Sequence, residues 1–190
     1  MNSNIAPGLL VAAPPLGDPN FDRSVVMLAS HGPEGAFGWV VNGRELVTLP
    51  ELLVRAGVTE QVLDLPGMVR VGGPVSPEQV WLVYRAEDRF PDIEGQFEVG
   101  DSIIASASKQ VLEAIASGAP VSSLVALAGY AGWAPMQLEE EIRRGAWLPV
   151  DLDAHIVFDG ERARGSVWER AYALVGTNPM AFAGRNIGSA

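Results

Sequence analysis

Short apolar runs bounded by Gly, Pro, Asn and Asp recur along the chain, and each has the length of a β-strand. Such runs are typical of strands that are buried on at least one face. The turn HGPEG at 31–35 joins two of them and predicts a hairpin with a long loop. The predicted strands are 8–13, 24–30, 36–41, 68–71, 79–84, 96–99, 102–106, 124–128 and 156–158.

Four other segments have the pattern of helices. Thr48 and Glu51 form a T-x-x-E capping box that predicts a helix, and a second box at 166–169 predicts the last helix. The segment 108–117 is amphipathic, and a further helix is predicted to begin at Pro135. Because these helices are interspersed with the strands without a strict βαβ rhythm, the pattern predicts a mixed α/β or α+β fold.

The segment LAGYAGWAPMQLEEE, residues 127–141, has the glycines of a phosphate-binding loop before a helix. Pro135 at the first helical position would lack an N–H donor, however, and the glutamates that follow disfavour an anion. The two glycines instead predict a sharp reversal that sends Tyr130 and Trp133 into opposite environments, and any ligand is expected to be a protein or a neutral or cationic group. The glycines of GGP at 72–74 likewise predict a turn that passes close to another backbone.

Composition and charge narrow the function. A chain of 190 residues with 48% hydrophobic and 19% charged residues is typical of one globular domain, here spanning 1–190. Nucleic-acid binders use Lys and Arg to displace counterions, so a net charge of −10 argues against direct DNA binding. The absence of cysteine excludes disulfides and thiol catalysis. We see no signal-peptide pattern and no apolar stretch long enough to span a membrane, and therefore expect a cytoplasmic protein.

Several short motifs follow one another in an informative order. They are LVAAPPLGD (10–18), FDRSV (21–25), His31 with GAFG (35–38), Asn42, GGPV (72–75), GYAGW (129–133) and QLEEE (137–141). This series resembles the bacterial YqgE/AlgH family over nearly the whole chain, ending in a helix that contains Trp168. The resemblance implies a small cytosolic protein with a central mixed β-sheet, partly curled into a barrel and flanked by helices. Members are often labelled transcriptional regulators, but the resemblance implies no established activity, cofactor or catalytic residue.

Three positions depart from the pattern of that family. Asn42 is followed by Gly-Arg rather than Lys-Pro, and Tyr84 stands where a histidine is common. Met136 replaces a glycine before Gln137. Any role that the family assigns to these positions does not transfer directly to this chain.

Two patterns that suggest chemistry also fit local structure. Asp151, Asp153 and His155 alternate and would share one face of a strand as metal ligands, yet they equally fit an acidic, solvent-facing lead-in to a strand. GDSI at 100–103 resembles a serine-hydrolase signature, but the residue three before His155 is Leu152 rather than an acid. We favour the structural interpretation of both and expect no metal and no other cofactor.

His31 is the better candidate for acid–base chemistry, because histidine titrates near neutrality and needs an acceptor that fixes its tautomer. The carboxylates near it in the sequence are Asp18, Asp22 and Glu34. Catalysis by a hydrolase or isomerase would require one of them within hydrogen-bond distance of His31 at a concave pocket. A loop histidine that caps a turn or contacts a ligand explains the same pattern.

The turns carry the favoured functional hypothesis, because the resemblance concentrates in them and turns held by a scaffold often carry function. We expect a non-enzymatic module that binds a partner protein or a small ligand, compatible with an indirect regulatory role. An enzyme that uses His31 is the alternative, and a direct DNA-binding regulator conflicts with the charge. The candidate surface consists of Asp18, Ser24, His31, Asn42, Gly72, Gly73, Gly129, Tyr130, Trp133 and Gln137.

Overall fold

A computed structural model describes residues 5–14, 21–158 and 164–176. In these residues ten strands form one curled mixed sheet with five α-helices around it, as the resemblance implied. The strands are β1 (Gly8–Ala12), β2 (Val25–Gly32), β3 (Gly35–Val40), β4 (Glu45–Thr48), β5 (Met68–Val71), β6 (Val75–Arg85), β7 (Gln96–Val99), β8 (Ile103–Ser106), β9 (Leu124–Trp133) and β10 (Trp147–Asp151). The helices are α1 (Leu49–Arg55), α2 (Lys109–Ala116), α3 (Gln137–Arg143), α4 (Ala154–Val157) and α5 (Arg164–Leu174).

Strand β9 joins the two halves of the sheet. Its first part lies between β5, to which it is parallel, and β6, with Leu127 level with Arg70 and Trp81. Its last part pairs with β3 instead, where Gly132 is opposite Phe37. The order across the sheet is β10-β1-β2-β3-β9-β6-β8-β7, with β4 and β5 paired beside the first part of β9. One long strand thus belongs to two sets of neighbours, which bends the sheet on itself.

The change of neighbours takes place at Gly129, whose φ of +73° is unfavourable for residues with a side chain. A Cβ atom at Gly129 would lie 2.5 Å from the carbonyl oxygen of Gly73. A Cβ atom at Gly73 would lie 2.1 Å from the carbonyl carbon of Tyr130. The close backbone approach predicted for the GGP segment is therefore confirmed, and the backbone that it touches is β9.

The sharp reversal predicted after residue 128 is wrong, because β9 continues to Trp133. The backbone N–H and C=O groups in the last part of β9 pair with those of β3. The glycines in the sequence give no sign of this pairing, because β3 is far away in the chain. Tyr130 and Trp133 do face opposite environments, since they pack into clusters on opposite faces of the sheet. Pro135 also lies before the helix rather than in it, because α3 begins at Gln137.

Three further expectations need correction. The β2–β3 connection is a tight two-residue turn, since Gly32 pairs with Gly35. The segment 156–158 is not a strand, because it lies in α4 and the turn after it. Strand β10, which precedes α4, was not predicted. It contains Pro149, and proline is tolerated in a strand at the edge of a sheet, where β10 lies.

The second predicted capping box does not start a helix, because α5 already begins at Arg164. The first one is confirmed: the side chains and backbones of Thr48 and Glu51 cap each other.

Alternate residues of the strands divide the core between the two faces of the sheet. Met27 belongs to the cluster inside the curl, which α4 and α5 cover, and its neighbour Leu28 belongs to the outer cluster against α3. A third cluster on the outer face packs under α1 and α2. The Trp168 indole donates to the carbonyl oxygen of Ala12 at 2.7 Å, which fixes α5 on β1. No helix in the described parts of the chain is both long enough and apolar enough to cross a membrane.

Candidate binding surface

The candidate residues fall into groups with different surroundings. Asp18 lies outside the described residues. Gly72, Gly73 and Gly129 form the backbone contact under β9, and Tyr130 packs beside it with its ring 5.0 Å from that of Phe37. These four residues shape the bend of the sheet, and a direct contact between them and a ligand remains a prediction.

Ser24 and Asn42 are buried and hydrogen-bonded to the backbone. The Asn42 Oδ1 atom accepts from the Val25 N–H at 2.8 Å, and its Nδ2 atom donates to the Arg23 carbonyl at 2.9 Å. The Ser24 hydroxyl donates to the carbonyl oxygen of Phe21 at 2.8 Å. Both side chains therefore hold the start of β2 in place, and a ligand-contacting role for either stays a prediction.

His31 reaches from the end of β2 to helix α3. Its Nε2 atom lies 3.0 Å from Oε1 of Glu139, a residue 108 positions later in the chain. The expected partners were carboxylates close in sequence, of which Asp22 and Glu34 are exposed on the surface. The carboxylate that His31 contacts is thus a different one, and it belongs to the QLEEE motif at 137–141.

The contact has a defined proton arrangement. The Glu139 backbone N–H lowers the pKa of its own carboxyl group; partial burial opposes this effect, and the hydrogen bond from His31 adds to it. Glu139 is therefore ionised at neutral pH and only accepts hydrogen bonds. It follows that His31 Nε2 carries the hydrogen and donates it. This partly buried contact fastens the β2–β3 hairpin to α3.

Glu141 is the second acidic anchor of this region. Its Oε2 atom accepts from the indole N–H groups of both Trp133 and Trp147, at 2.8 Å each. Its Oε1 atom accepts from the Gln137 side chain at 2.9 Å. The ring of Phe21 packs on the two indoles, with centroid distances of 6.4 and 5.5 Å. Trp133 is therefore a buried support of the surface, and Gln137 lies exposed above it.

The hairpin turn and the start of α3 meet directly. A Cβ atom at Gly35 would lie 2.2 Å from the carbonyl oxygen of Trp133 and 3.2 Å from the carbonyl carbon of Ala134. The turn is thus in contact with the chain that leads into Met136. We call this region the hairpin–helix face; it comprises Pro33, Glu34, Met136, Gln137 and the His31–Glu139 contact.

Met136 is the most unusual residue of the hairpin–helix face. Its φ of +66° places it in the left-handed region, where a side chain costs roughly 1–2 kcal/mol. Its side chain is nevertheless 64% exposed, so packing in the core does not compensate for this strain. The glycine that the resemblance implies at this position would suit the backbone. An exposed apolar side chain on a strained backbone is a feature typical of functional sites.

The strain at Met136 leads to a stability prediction. Met136→Gly should raise the free energy of unfolding by about 0.5–1 kcal/mol. Glycine relieves the left-handed strain, and the greater conformational entropy of glycine in the unfolded chain offsets part of this stabilisation. Urea denaturation of the purified protein measures the change. The control Val62→Gly removes an apolar side chain that is 67% exposed, without a positive φ, and should leave stability unchanged or lower it. Equal effects of the two substitutions would contradict the assignment of strain.

The weaker sequence patterns have local explanations. The Asp153 carboxylate accepts from the His155 N–H at 2.8 Å and caps α4. Among the residues with assigned structure, no group of three His, Asp or Glu side chains is arranged to hold a metal ion. The GDSI segment forms the turn between β7 and β8, where Gly100 has a φ of +63°. Neither pattern adds a residue to the hairpin–helix face.

Comparison with known proteins agrees with the fold and the motifs. A family model described as AlgH-like matches residues 9–180. A UPF0301 protein of Anaeromyxobacter sp. strain Fw109-5 is 42% identical over 188 residues, covering 95% of this chain and 92% of that protein. A UPF0301 protein of Paracoccus denitrificans is 36% identical, and the match covers 94% of each chain.

A solved structure extends this agreement to three dimensions. The solution structure of the AlgH protein from Pseudomonas aeruginosa superposes with a TM-score of 0.73 at 27% identity, covering 100% of this chain and 98% of that one. The match of the family model and the identity to the UPF0301 relatives show that this chain belongs to the AlgH-like family.

Proposed function

We propose that this protein is a non-enzymatic binding module that engages a partner protein through the hairpin–helix face and acts through that partner. The observation that carries the proposal is Met136, whose apolar side chain is held 64% exposed on a left-handed backbone. Unbranched, polarisable methionine side chains adapt to the shape of a partner, and exposed methionines recur at such surfaces.

The elements around Met136 are held in fixed positions. The His31–Glu139 contact at 3.0 Å joins the hairpin to α3, and the two indoles that donate to Glu141 support the helix from below. A surface that is ordered before binding loses less conformational entropy when the complex forms. The anchors under the face therefore favour binding without a large rearrangement.

The charge of the surface indicates the kind of partner. Glu34 and Glu139 lie on the face, Glu140 beside it is paired with Arg143 and Arg144, and the whole chain has a net charge of −10. Such a field attracts a basic protein surface and repels nucleic acid. We expect a partner whose contact region combines an apolar pocket for Met136 with Lys or Arg around it. A regulatory effect of this protein would then be exerted through the partner rather than by contact with DNA.

Catalysis by His31 is the second candidate, favoured by the 3.0 Å contact with Glu139. A carboxylate that fixes one ring nitrogen of histidine leaves the other to act as a base. The large cavity beside β5 and β9, however, is lined by neither His31 nor Glu139. If His31 were catalytic, wild-type protein should hydrolyse p-nitrophenyl esters and His31→Gln should not, whereas the binding proposal expects the same background rate from both.

In-cell photo-crosslinking tests the binding proposal. A benzoylphenylalanine residue is introduced at position 136 in one strain and at position 62 in another, in cells that naturally produce the chain. The two native side chains are matched in exposure, at 64% for Met136 and 67% for Val62. We expect a covalent adduct with one protein from position 136 and none of that mass from position 62. Absence of an adduct at 136, or the same adducts from both positions, would contradict the proposal.

A further inference from the structure

A large cavity lies away from the hairpin–helix face, where β5 and β9 begin and α2 ends. Its volume is ≈ 810 Å³, within the roughly 300–1,000 Å³ of pockets that hold small ligands. No residue of the β2–β3 hairpin or of α3 lines it. Its walls combine polar groups, among them Ser122 and Ser123, with apolar side chains that include Leu49, Leu65, Met68, Ile115, Leu124 and Phe158.

One buried cation stands in the wall of this cavity. Arg70 of β5 has a side chain that is only 8% exposed, and a guanidinium group stays charged at all ordinary pH values. Its Nη2 atom donates to Glu45 Oε1 at 2.8 Å, and its Nη1 atom lies 3.5 Å from the Gly43 carbonyl oxygen. Arg70 and Glu45 are the two charged residues among those that line the cavity.

The two members of this ion pair are unequally fixed. Arg70 is held by burial, whereas the Glu45 side chain is 53% exposed. An exposed carboxylate gives up a salt bridge at small cost, because water replaces the interaction. The guanidinium is shielded from water, and a buried charge is strongly stabilised by a counter-ion beside it. An anionic group that enters the cavity is therefore able to take the position of Glu45.

The surroundings restrict the charge of such a ligand. The planar fork of an arginine fits the two oxygens of a carboxylate. At the rim, Asp88 accepts hydrogen bonds from the backbone and hydroxyl of Ser122, and Glu87 is beside it. These carboxylates oppose ligands with several negative charges, such as nucleotides. The apolar side chains in the walls require a hydrocarbon or aromatic body.

We infer that this cavity is a binding site for a small monocarboxylate with an apolar body, whose carboxylate pairs with Arg70 in place of Glu45. In the ligand-free protein Glu45 neutralises the buried guanidinium. On binding, the ligand carboxylate takes over that role, the apolar body covers the walls, and Glu45 moves into solvent. The site is independent of the hairpin–helix face and does not rest on the proposed function.

Calorimetric titration with octanoate tests this site, with 1-octanol as the uncharged probe of the same chain length. We expect octanoate to bind at least ten-fold more tightly than octanol. Equal affinities would show that Arg70 does not recognise the carboxylate and would overturn the inference, as would the absence of any octanoate binding to the wild-type protein.

Variants separate the roles of the ion pair and of the walls. Arg70→Gln should weaken octanoate binding at least ten-fold, and Glu45→Gln should strengthen it several-fold, because the internal competitor is removed. Since both substitutions disturb a buried ion pair, Ala119→Trp, which leaves that pair intact, serves as the test if neither variant folds. Ala119→Trp adds an indole at the cavity wall and should abolish binding, whereas Gln110→Trp, on the exposed surface of α2, should not. Unchanged affinity in Glu45→Gln or in Ala119→Trp would contradict the site.

Discussion

Gly129→Ala is expected to lower the free energy of unfolding by roughly 4 kcal/mol or more, a large part of the roughly 5–15 kcal/mol of a protein of ordinary stability. The added methyl group would lie 2.5 Å from the Gly73 carbonyl oxygen and 2.8 Å from that of Val75. Both contacts are with backbone, which cannot move aside as a flexible side chain can. Strand β9 would have to leave one of its two sets of neighbours.

Urea denaturation of Gly129→Ala and of the control Gly145→Ala separates this contact from the cost of the backbone angle alone. The two glycines have nearly the same φ, +73° and +76°, but a Cβ atom at Gly145 would meet nothing within 4 Å. We expect Gly145→Ala to cost only about 1–2 kcal/mol, the usual penalty for a left-handed residue. Similar losses for the two variants would mean that the backbone contact does not constrain the bend of the sheet.

Glu141→Ala is expected to cost about 2–4 kcal/mol, because it removes the acceptor of two buried indole N–H groups. Trp133 and Trp147 are 6% and 2% exposed, so water does not readily replace the lost carboxylate. The end of β9, the start of β10 and helix α3 should all loosen together. Thermal unfolding, followed by circular dichroism, measures the loss.

Glu140→Ala is the matched control, one residue earlier on the same helix. Its carboxylate forms exposed ion pairs with Arg143 and Arg144, which contribute little in water. We expect a change below about 0.5 kcal/mol from this substitution. If the two variants lost the same stability, Glu141 would be one more surface charge rather than an anchor under the hairpin–helix face.

Much of the fold follows from local pattern. The capping box at Thr48 and the apolar runs of β1, β2 and β5 were predicted because turn residues bound them on both sides. The continuation of β9 past Gly129 was not, because glycines in sequence mark a turn as readily as a bend in a strand. Only the ladder with β3, a contact far away in the chain, decides between them.

The candidate site was predictable to a similar degree. A catalytic role for His31 was expected to require a contact with Asp18, Asp22 or Glu34, but the carboxylate that it contacts is Glu139, 108 residues away. A pair this distant along the chain leaves no trace in one sequence. Glu141 carries no local sign that it holds two indoles. Met136 did stand out in the sequence as a departure from the pattern that the resemblance implied, and its left-handed backbone is one that glycine would adopt without strain.

If Met136 is the contact point of a partner protein, as we propose, substitutions at this position should change the dissociation constant of that partner. The partner identified by crosslinking is titrated with wild-type protein, Met136→Glu and the exposure-matched control Val62→Glu. We predict that Met136→Glu weakens binding by at least thirty-fold, about 2 kcal/mol, and that Val62→Glu leaves the constant unchanged within two-fold. Equal dissociation constants for all three proteins would contradict the claim.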